Sequence, residues 1–533
     1  MSQEEKKEIG RASTVMATFT MLSRLLGLVR NQILSHFFGS GMVADAFVAA
    51  FTIPNALRRL FGEGALTPAF VTTLTRALKE SEAQKDPRIW QNYMAGAFTG
   101  LTLMLLIVCG LGMLLAPWIV RIYVPEFNDI PGKIELTTEL TRFLFPFILF
   151  IGWSAFFMGI LNTFKSFGLP AFGPALLNIT VILMVPTVFL FVSPQSPYAI
   201  HIYGLAMLIG GLLQAAVQLP KLAQLGAFPR FKSPLNDPRV RELALILVPS
   251  AFAMGVYQLN IIVNRVFASN IEGAVSHLFY ADLILELPVS LVAVSLGTAV
   301  LPSFSRLLTD KNRVGFAETF SFSLEGVWLL SLPAMAGFIA LAEPIVSTLY
   351  LSGKFVLHDL NVVSTSLIAY SIGLPFFAAL RILTPVFFAE KDTRTPARVG
   401  FVALFVNLLA AWQFSKLWGT WGIAFATSVS SFANFAILVF LIQKKFPEIQ
   451  RKPVVTTLFK IIVACTVMGL SLHGLTRVLD PELWLQQGFS ISKVVYLTLL
   501  IFVGALIYFF CAKALHIPQA GQMIDRVMRR KRS

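Results

Sequence analysis

Long apolar stretches follow one another almost without interruption from about residue 13 to residue 512, and no other feature restricts the fold as much. About fourteen can be drawn, at 13–37, 43–76, 92–123, 138–164, 170–193, 198–220, 241–268, 274–305, 318–341, 360–389, 397–415, 420–443, 454–476 and 489–512. Most reach the length of about 20 residues that a helix needs to cross a hydrocarbon core about 30 Å thick. With 56% hydrophobic and only 13% charged residues, the chain has the composition of a bilayer protein. The short alternating segments of a membrane β-barrel are absent. The polar stretches between the apolar ones are too short to bury a core of their own, so the function is expected within the bilayer or at its faces. The expected fold is an all-α polytopic membrane protein.

The basic residues set the orientation. With the N-terminus on the cytoplasmic side, 29 Lys and Arg fall in or beside inside segments, whereas the outside segments hold six: Arg121, Lys133, Lys354, Lys416, Arg477 and Lys493. That asymmetry is what the positive-inside rule requires, and it places both termini in the cytoplasm. It also accounts for the net charge of +15: the basic residues are spread over short loops on one face, which suits anionic membrane lipids and not nucleic acid. Cys109, Cys465 and Cys511 all fall in apolar spans, at spacings that suggest neither a disulfide framework nor a metal site.

Segment 221–240, with Pro220, Pro229, Pro234 and Pro238 in and around it, falls midway through the first twelve spans and reads as a linker. An internal repeat supports a division there. At an offset of 234, Pro54, Ala65, Pro68 and Phe70 match Pro288, Ala299, Pro302 and Phe304; at an offset of 226, Lys165, Pro170 and Ala171 match Lys391, Pro396 and Ala397. Both relate elements six helices apart, as in transporters built from parallel repeats. The expected organisation is a six-helix lobe over 1–225, a second over 226–450, helices 13 and 14 over 451–515, and a basic cytoplasmic tail over 516–533.

Against this apolar background, Arg24, Arg30, Arg58 and Arg59 stand inside the first two spans. One arginine at the centre of a membrane helix costs about 2.5 to 3.5 kcal/mol on insertion scales. Four such residues point to a water-filled, protein-lined central cavity where cations meet an anionic partner. Arg24, Gly27 and Asn31 share a helical face, with Arg30 about a third of a turn away, and two cations at different depths suit a cargo with more than one anionic group. Arg59 and Glu63, at i and i+4, are expected to pair. Asp45 is then the carboxylate set against Arg24, Arg30 and Arg58. In the second half Gln258 and Arg265 share a face of the seventh span, and Asp282 and Glu286 lie one turn apart on the eighth, with Ser290 continuing the stripe. For Arg59, Glu63 and Asp282, a buried ion pair that fixes helix packing is the competing reading. Gly27 and the prolines of the second, fourth, eighth and tenth spans are candidate bending points.

No HExxH, Walker loop or dinucleotide fingerprint is present. The chain therefore reads as a transporter without cofactor or metal, not an enzyme, driven by the membrane potential, an ion gradient or consumption of the product.

The stretches SRLLGLVRNQILSHFFGSGMVADAF, PNALRRLFGEGALTPAFV, LNTFKSFGLPAFGPALLNI, FYADLILELPVSLVAVSLGTAVLPS and YLSGKF resemble the MurJ (MviN) lipid II flippases of the multidrug/oligosaccharidyl-lipid/polysaccharide exporter superfamily. The resemblance runs over essentially the whole chain. It implies a multi-pass protein of the bacterial cytoplasmic (inner) membrane that acts as a monomer. It implies movement of lipid II, a polyprenyl-diphosphate glycopeptide, from the inner to the outer leaflet by alternating access. It further implies a cationic cavity between lobes for the diphosphate head, and a groove at helices 13 and 14 for the lipid tail. Arg24, Arg30 and Arg58 match the family's essential arginines, and Asp45 and Glu63 its acidic positions. The chain departs from the pattern at Asn31, where an acid is common, and at Leu283, where some members have an arginine that contacts phosphate; Arg265 is expected to supply the missing cation. The readings that compete are a flippase for another polyprenyl-diphosphate glycan, a cation-coupled drug exporter, a membrane-embedded transferase and a non-transporting scaffold. Surplus arginine counts against an exporter of cations, and Asp282 and Glu286 are a thin basis for a transferase.

Overall fold

The computed structural model describes residues 3–58, 66–234, 237–292, 298–478 and 481–517, and among these every regular element is helical. The contacts group the chain into two compact units, Met1–Gly273 and Ala274–Ser533. The first holds α1 (Gln3–Phe38), α2 (Met42–Arg58), α3 (Leu66–Gln84), α4 (Arg88–Tyr123), α5 (Lys133–Leu144), α6 (Phe147–Thr163), α7 (Gly168–Phe189), α8 (Ala199–Ala216), α9 (Leu219–Gln224) and α10 (Pro238–Ala268). The second holds α11 (Ala274–Val292), α12 (Thr298–Thr309), α13 (Arg313–Tyr350), α14 (Leu357–Ala389), α15 (Arg394–Lys445), α16 (Arg451–Val478) and α17 (Ile491–Ala514).

Among the described residues, nine helices are long and apolar enough to cross a membrane. The helices outside that group include α1, α2, α10 and α11, which carry Arg24 and Arg30, Asp45 and Arg58, Arg265, and Asp282 and Glu286.

Several expected spans are interrupted, each for a local reason. The fourth divides at Phe145–Pro146, where proline has no N–H to continue the ladder. α13 carries a non-helical residue, Leu341 (φ −115°, ψ 16°), three residues before Pro344. The eleventh and twelfth spans are the two arms of α15, which turns at Gly419 (φ 58°, ψ −135°), a conformation that a side chain would strain. The arms then pack backbone to backbone: a Cβ on Gly422 would stand 2.1 Å from the Phe414 carbonyl oxygen.

The two units repeat one another in detail. Pro54 and Pro288 lie inside α2 and α11. Phe70 of α3 and Phe304 of α12 are both wholly buried and centre aromatic clusters, Phe70 4.4 Å from Phe156 and Phe304 5.1 Å from Phe316, centroid to centroid. Four lysines take the left-handed conformation after a helix: Lys85 (φ 53°), Lys165 (φ 56°), Lys311 (φ 53°) and Lys391 (φ 61°). They form two pairs 226 residues apart, 85 with 311 and 165 with 391. In each, the next residue's N–H donates to a carbonyl five residues back, at 2.8 to 3.0 Å, closing the helix end as a Schellman turn.

α10 packs on α3 and α4 in the first unit, although the expected linker precedes it. Its N-terminal end is tied there by polar contacts: Arg239 bonds Glu80 at 2.7 Å and Asp237 at 2.9 Å, and Arg76 bonds Glu242 at 3.0 Å. The hydrogen-bonded Asp237 carboxylate holds the Arg239 guanidinium above its ordinary pKa. Val240 and Leu243 then enter the core that Phe70 centres.

Candidate functional site

α1 carries two cations six residues apart, or about 9 Å along the axis. Arg24 is exposed and Arg30 half-buried. The helix is fixed against α7, where Asn178 Nδ2 donates to the Ser23 carbonyl at 2.9 Å. On α8 the Tyr203 hydroxyl donates to the Arg30 carbonyl at 3.2 Å. The Arg30 guanidinium reaches Asn31 Oδ1 at 3.3 Å and Met207 Sδ at 4.0 Å. Asn31, expected to meet the cargo, is 2% exposed, and its Oδ1 accepts from the Arg30 guanidinium. α1 passes through Gly27 as one continuous helix, and a Cβ there would meet only Asn178 Nδ2 at 3.7 Å.

α2 ends at Arg58, half-buried, whose Nε donates to Asn55 Oδ1 at 2.8 Å, one turn back. Arg59 and Glu63, the expected pair that follows, lie outside the described residues.

Asp45 departs from the sequence reading. Its carboxylate is wholly buried and receives Lys133 Nζ at 2.9 Å and the Gly273 N–H at 3.0 Å. Lys133 is also wholly buried, with its ammonium 4.0 Å from the centroid of the Phe127 ring. The sequence placed this lysine among exposed loop cations and set Asp45 against arginines. The structure adds a partner that the sequence reading did not foresee: Gly132 (φ 80°) turns the chain so that α5 begins at Lys133 and packs on α2, which brings ammonium to carboxylate. The available signal was position, since both residues stand at helix ends on the expected outer side. Lys493, read the same way, is also buried and donates to the carbonyls of Gln486 and Gly488.

Arg265, in the last turn of α10, is 7% exposed and within electrostatic reach of the Tyr123 hydroxyl. Gln258, seven residues earlier, is buried as well. In the second unit Asp282 and Glu286 are half-buried on α11, and Ser290 Oγ donates to the Glu286 carbonyl at 2.6 Å. Sequence reasoning missed a further buried pair there, His277 with Asp359, because a lone histidine in an apolar run carries no pattern. Among the described residues, no group of three or more His, Cys, Asp or Glu could hold a metal ion.

Many apolar helices in two repeated units, with guanidinium groups on α1, α2 and α10, define a polytopic membrane protein of the transporter type. The fold is shared with solved membrane transporters. A multidrug resistance MATE family transporter in an inward-facing conformation aligns with a TM-score of 0.64 over 82% of this chain and 98% of its own, at 13% identity. A structure described as "Lipid II flippase MurJ, inward closed conformation" aligns with a TM-score of 0.76 over 94% of this chain and 99% of its own, at 25% identity. The family model "Lipid II flippase MurJ" matches residues 34–494. A probable lipid II flippase MurJ of Bdellovibrio bacteriovorus is 34% identical over 98% of this chain and 97% of its own length. One from Vibrio cholerae is 34% identical over 81% and 82%. The chain belongs to the lipid II flippase MurJ family.

Proposed function

We infer that this chain is a lipid II flippase, which carries a polyprenyl-diphosphate glycopeptide from the inner to the outer leaflet of a bacterial cytoplasmic membrane. The observation that carries the reading is family membership along residues 34–494; arginines on α1 and α2 agree with it. Dragging a diphosphate and its glycopeptide through hydrocarbon is prohibitive, whereas a hydrated cationic chamber lets the head cross while the tail stays in lipid. Arg24, exposed, and Arg30, oriented by Asn31 and Tyr203, bind successive phosphates, and guanidinium forks suit that geometry. Arg58 completes the set from α2, and Arg265 adds positive potential from beside Tyr123. Asp45 holds α2 to α5, while Arg59 with Glu63, and Asp282 with Glu286, serve gating. α1 flexes at Gly27 as the halves alternate access, and the membrane potential or an ion gradient supplies the drive. Exposed Leu499, Phe502, Leu506 and Phe510 on α17 suit a polyprenyl tail. The protein works as a monomer with both termini in the cytoplasm.

The test is depletion in cells followed by a leaflet-resolved assay of the precursor. Precursor should accumulate on the inner face; normal arrival at the outer face, in cells lacking another flippase, would refute the assignment. A hydrogen bond to a charged group is worth about 1.5 to 3 kcal/mol, so Arg24→Ala and Arg30→Ala should each lower transport about 10- to 100-fold with folding intact. Arg265→Ala should match Arg24→Ala, and unimpaired transport would remove it from the site.

A further inference from the structure

The buried pair of the second unit mirrors that of the first. In the first unit Asp45, fourth residue of α2, meets Lys133, first residue of α5, and both side chains are wholly buried. In the second, His277, fourth residue of α11, meets Asp359, third residue of α14, with Nε2 and Oδ1 3.0 Å apart and the side chains 3% and 9% exposed. Lys133 and Asp359 are 226 residues apart, the offset that relates the left-handed lysines. Asp45 and His277 are 232 residues apart, two short of the offset that relates Pro54 to Pro288, so the second unit holds a buried pair between the corresponding helices in a shifted register and with its polarity reversed, imidazole taking the place of ammonium.

We propose that His277 Nδ1 is a proton-binding site whose occupancy sets how firmly α11 is held to α14. Nδ1 is buried and has no hydrogen-bond partner among the described residues, so it offers the lone pair that a proton takes, while Nε2–H donates to Asp359 whether the ring is neutral or charged. With the imidazole neutral the pair has net charge −1 in a buried place. A proton on Nδ1 brings it to zero, the charge that Lys133 and Asp45 always have. The other oxygen of Asp359 is committed to the helix end, where Oδ2 accepts the Val356 N–H at 2.8 Å. A protonation change at His277 therefore acts on the carboxylate that starts α14, and on α11, the helix that bears Asp282 and Glu286.

Among the described residues, one other histidine stands close enough to sense the same pH range, and it is exposed. On α14 His358 is exposed, with its ring centroid 6.3 Å from that of His277. On α13 Tyr350 packs against Tyr280 with the rings tilted, 4.9 Å between centroids, and Glu343 lies two turns before it. Lys354, in the loop leading to α14, is exposed. Asp282 and Glu286 follow His277 on α11 by five and nine residues. On α15 Lys416 is exposed, with its ammonium 4.3 Å from the centroid of the Trp412 ring.

The experiment is thermal unfolding of the purified full chain in detergent across about pH 5 to 8, the range in which histidine ordinarily changes charge. The stabilisation is present while the ring is charged and is lost as rising pH removes the proton. Wild type should therefore fall relative to His277→Lys by a few degrees as pH rises. Its advantage over His277→Gln should be largest at low pH and shrink as pH rises. Lys133→His should acquire in the first unit the pH dependence that wild type lacks there. Should His277→Lys fail to fold, the His277→Gln comparison decides alone. A pH-independent gap between wild type and His277→Gln overturns the proposal. Because this readout involves no cargo, it fails or succeeds separately from the assignment of lipid II. Flipping by the same variants in proteoliposomes at the same pH values then reports whether the joint gates transport: wild type should be pH-dependent where His277→Lys is not.

Discussion

Replacing Lys133 by alanine should be among the most damaging substitutions in the chain, though it lies away from the arginines. Ammonium and carboxylate are 2.9 Å apart with neither side chain exposed, and at an effective dielectric of about 20 their attraction is about 6 kcal/mol. Most of that offsets the cost of taking both ions out of water, so the pair itself adds little net stability. Removing one partner is different. Asp45 would keep its Gly273 N–H but lose the cation that makes a buried charge tolerable, a loss of about 3 to 5 kcal/mol. The contact with Phe127 adds about 1 to 2 kcal/mol to the upper end. The assay is unfolding in detergent of Lys133→Ala, with a double-mutant cycle of Lys133→Met, Asp45→Asn and Lys133→Met/Asp45→Asn. The neutral double variant should recover at least half of the loss. A Lys133→Ala protein within about 1 kcal/mol of wild type, or a double variant worse than both singles, would refute the view that desolvation governs this site.

Gly422→Ala should cost at least about 3 kcal/mol or prevent folding, because the new methyl meets a backbone carbonyl at 2.1 Å; Gly400→Ala, with nothing within 4 Å, should be neutral or stabilise by up to about 1 kcal/mol, and equal effects would show that the α15 turn is not close-packed. Lys311→Gly should stabilise by about 0.5 to 1 kcal/mol by relieving a left-handed lysine, and a loss on thermal unfolding would contradict that. Asp392 accepts from the N–H groups of Arg394 and Thr395 at 3.0 Å each and from Thr395 Oγ1 at 2.6 Å. The Thr395 hydroxyl chiefly holds its carboxyl below the usual carboxylate range. Its stabilisation is therefore complete above the unfolded value of about 3.9 and disappears as pH falls through the lower folded value. Asp392→Ala should cost about 1 kcal/mol at neutral pH, and a gap that persists in strong acid would argue against the cap.

The amino-acid sequence determined the helical, membrane-spanning class and set the expectation of where cations have to be accommodated, because each rests on local quantities: run length, hydropathy and the cost of charge in lipid. It also carried the internal repeat, in the matches of Pro54 with Pro288, Phe70 with Phe304 and Lys165 with Lys391. What it could not determine was which charge meets which. Lys133 and Asp45 are 88 residues apart, and His277 and Asp359 are 82 apart; nothing local distinguishes Lys133 from a loop lysine, or His277 from a residue that merely fills its helix. Only tertiary packing decides that α5 begins against α2 and α11 against the start of α14. Burial then turns these side chains from solvated charges into partners, since the energy of a charge is set by the dielectric and the counter-charge around it, not by its neighbours in the chain.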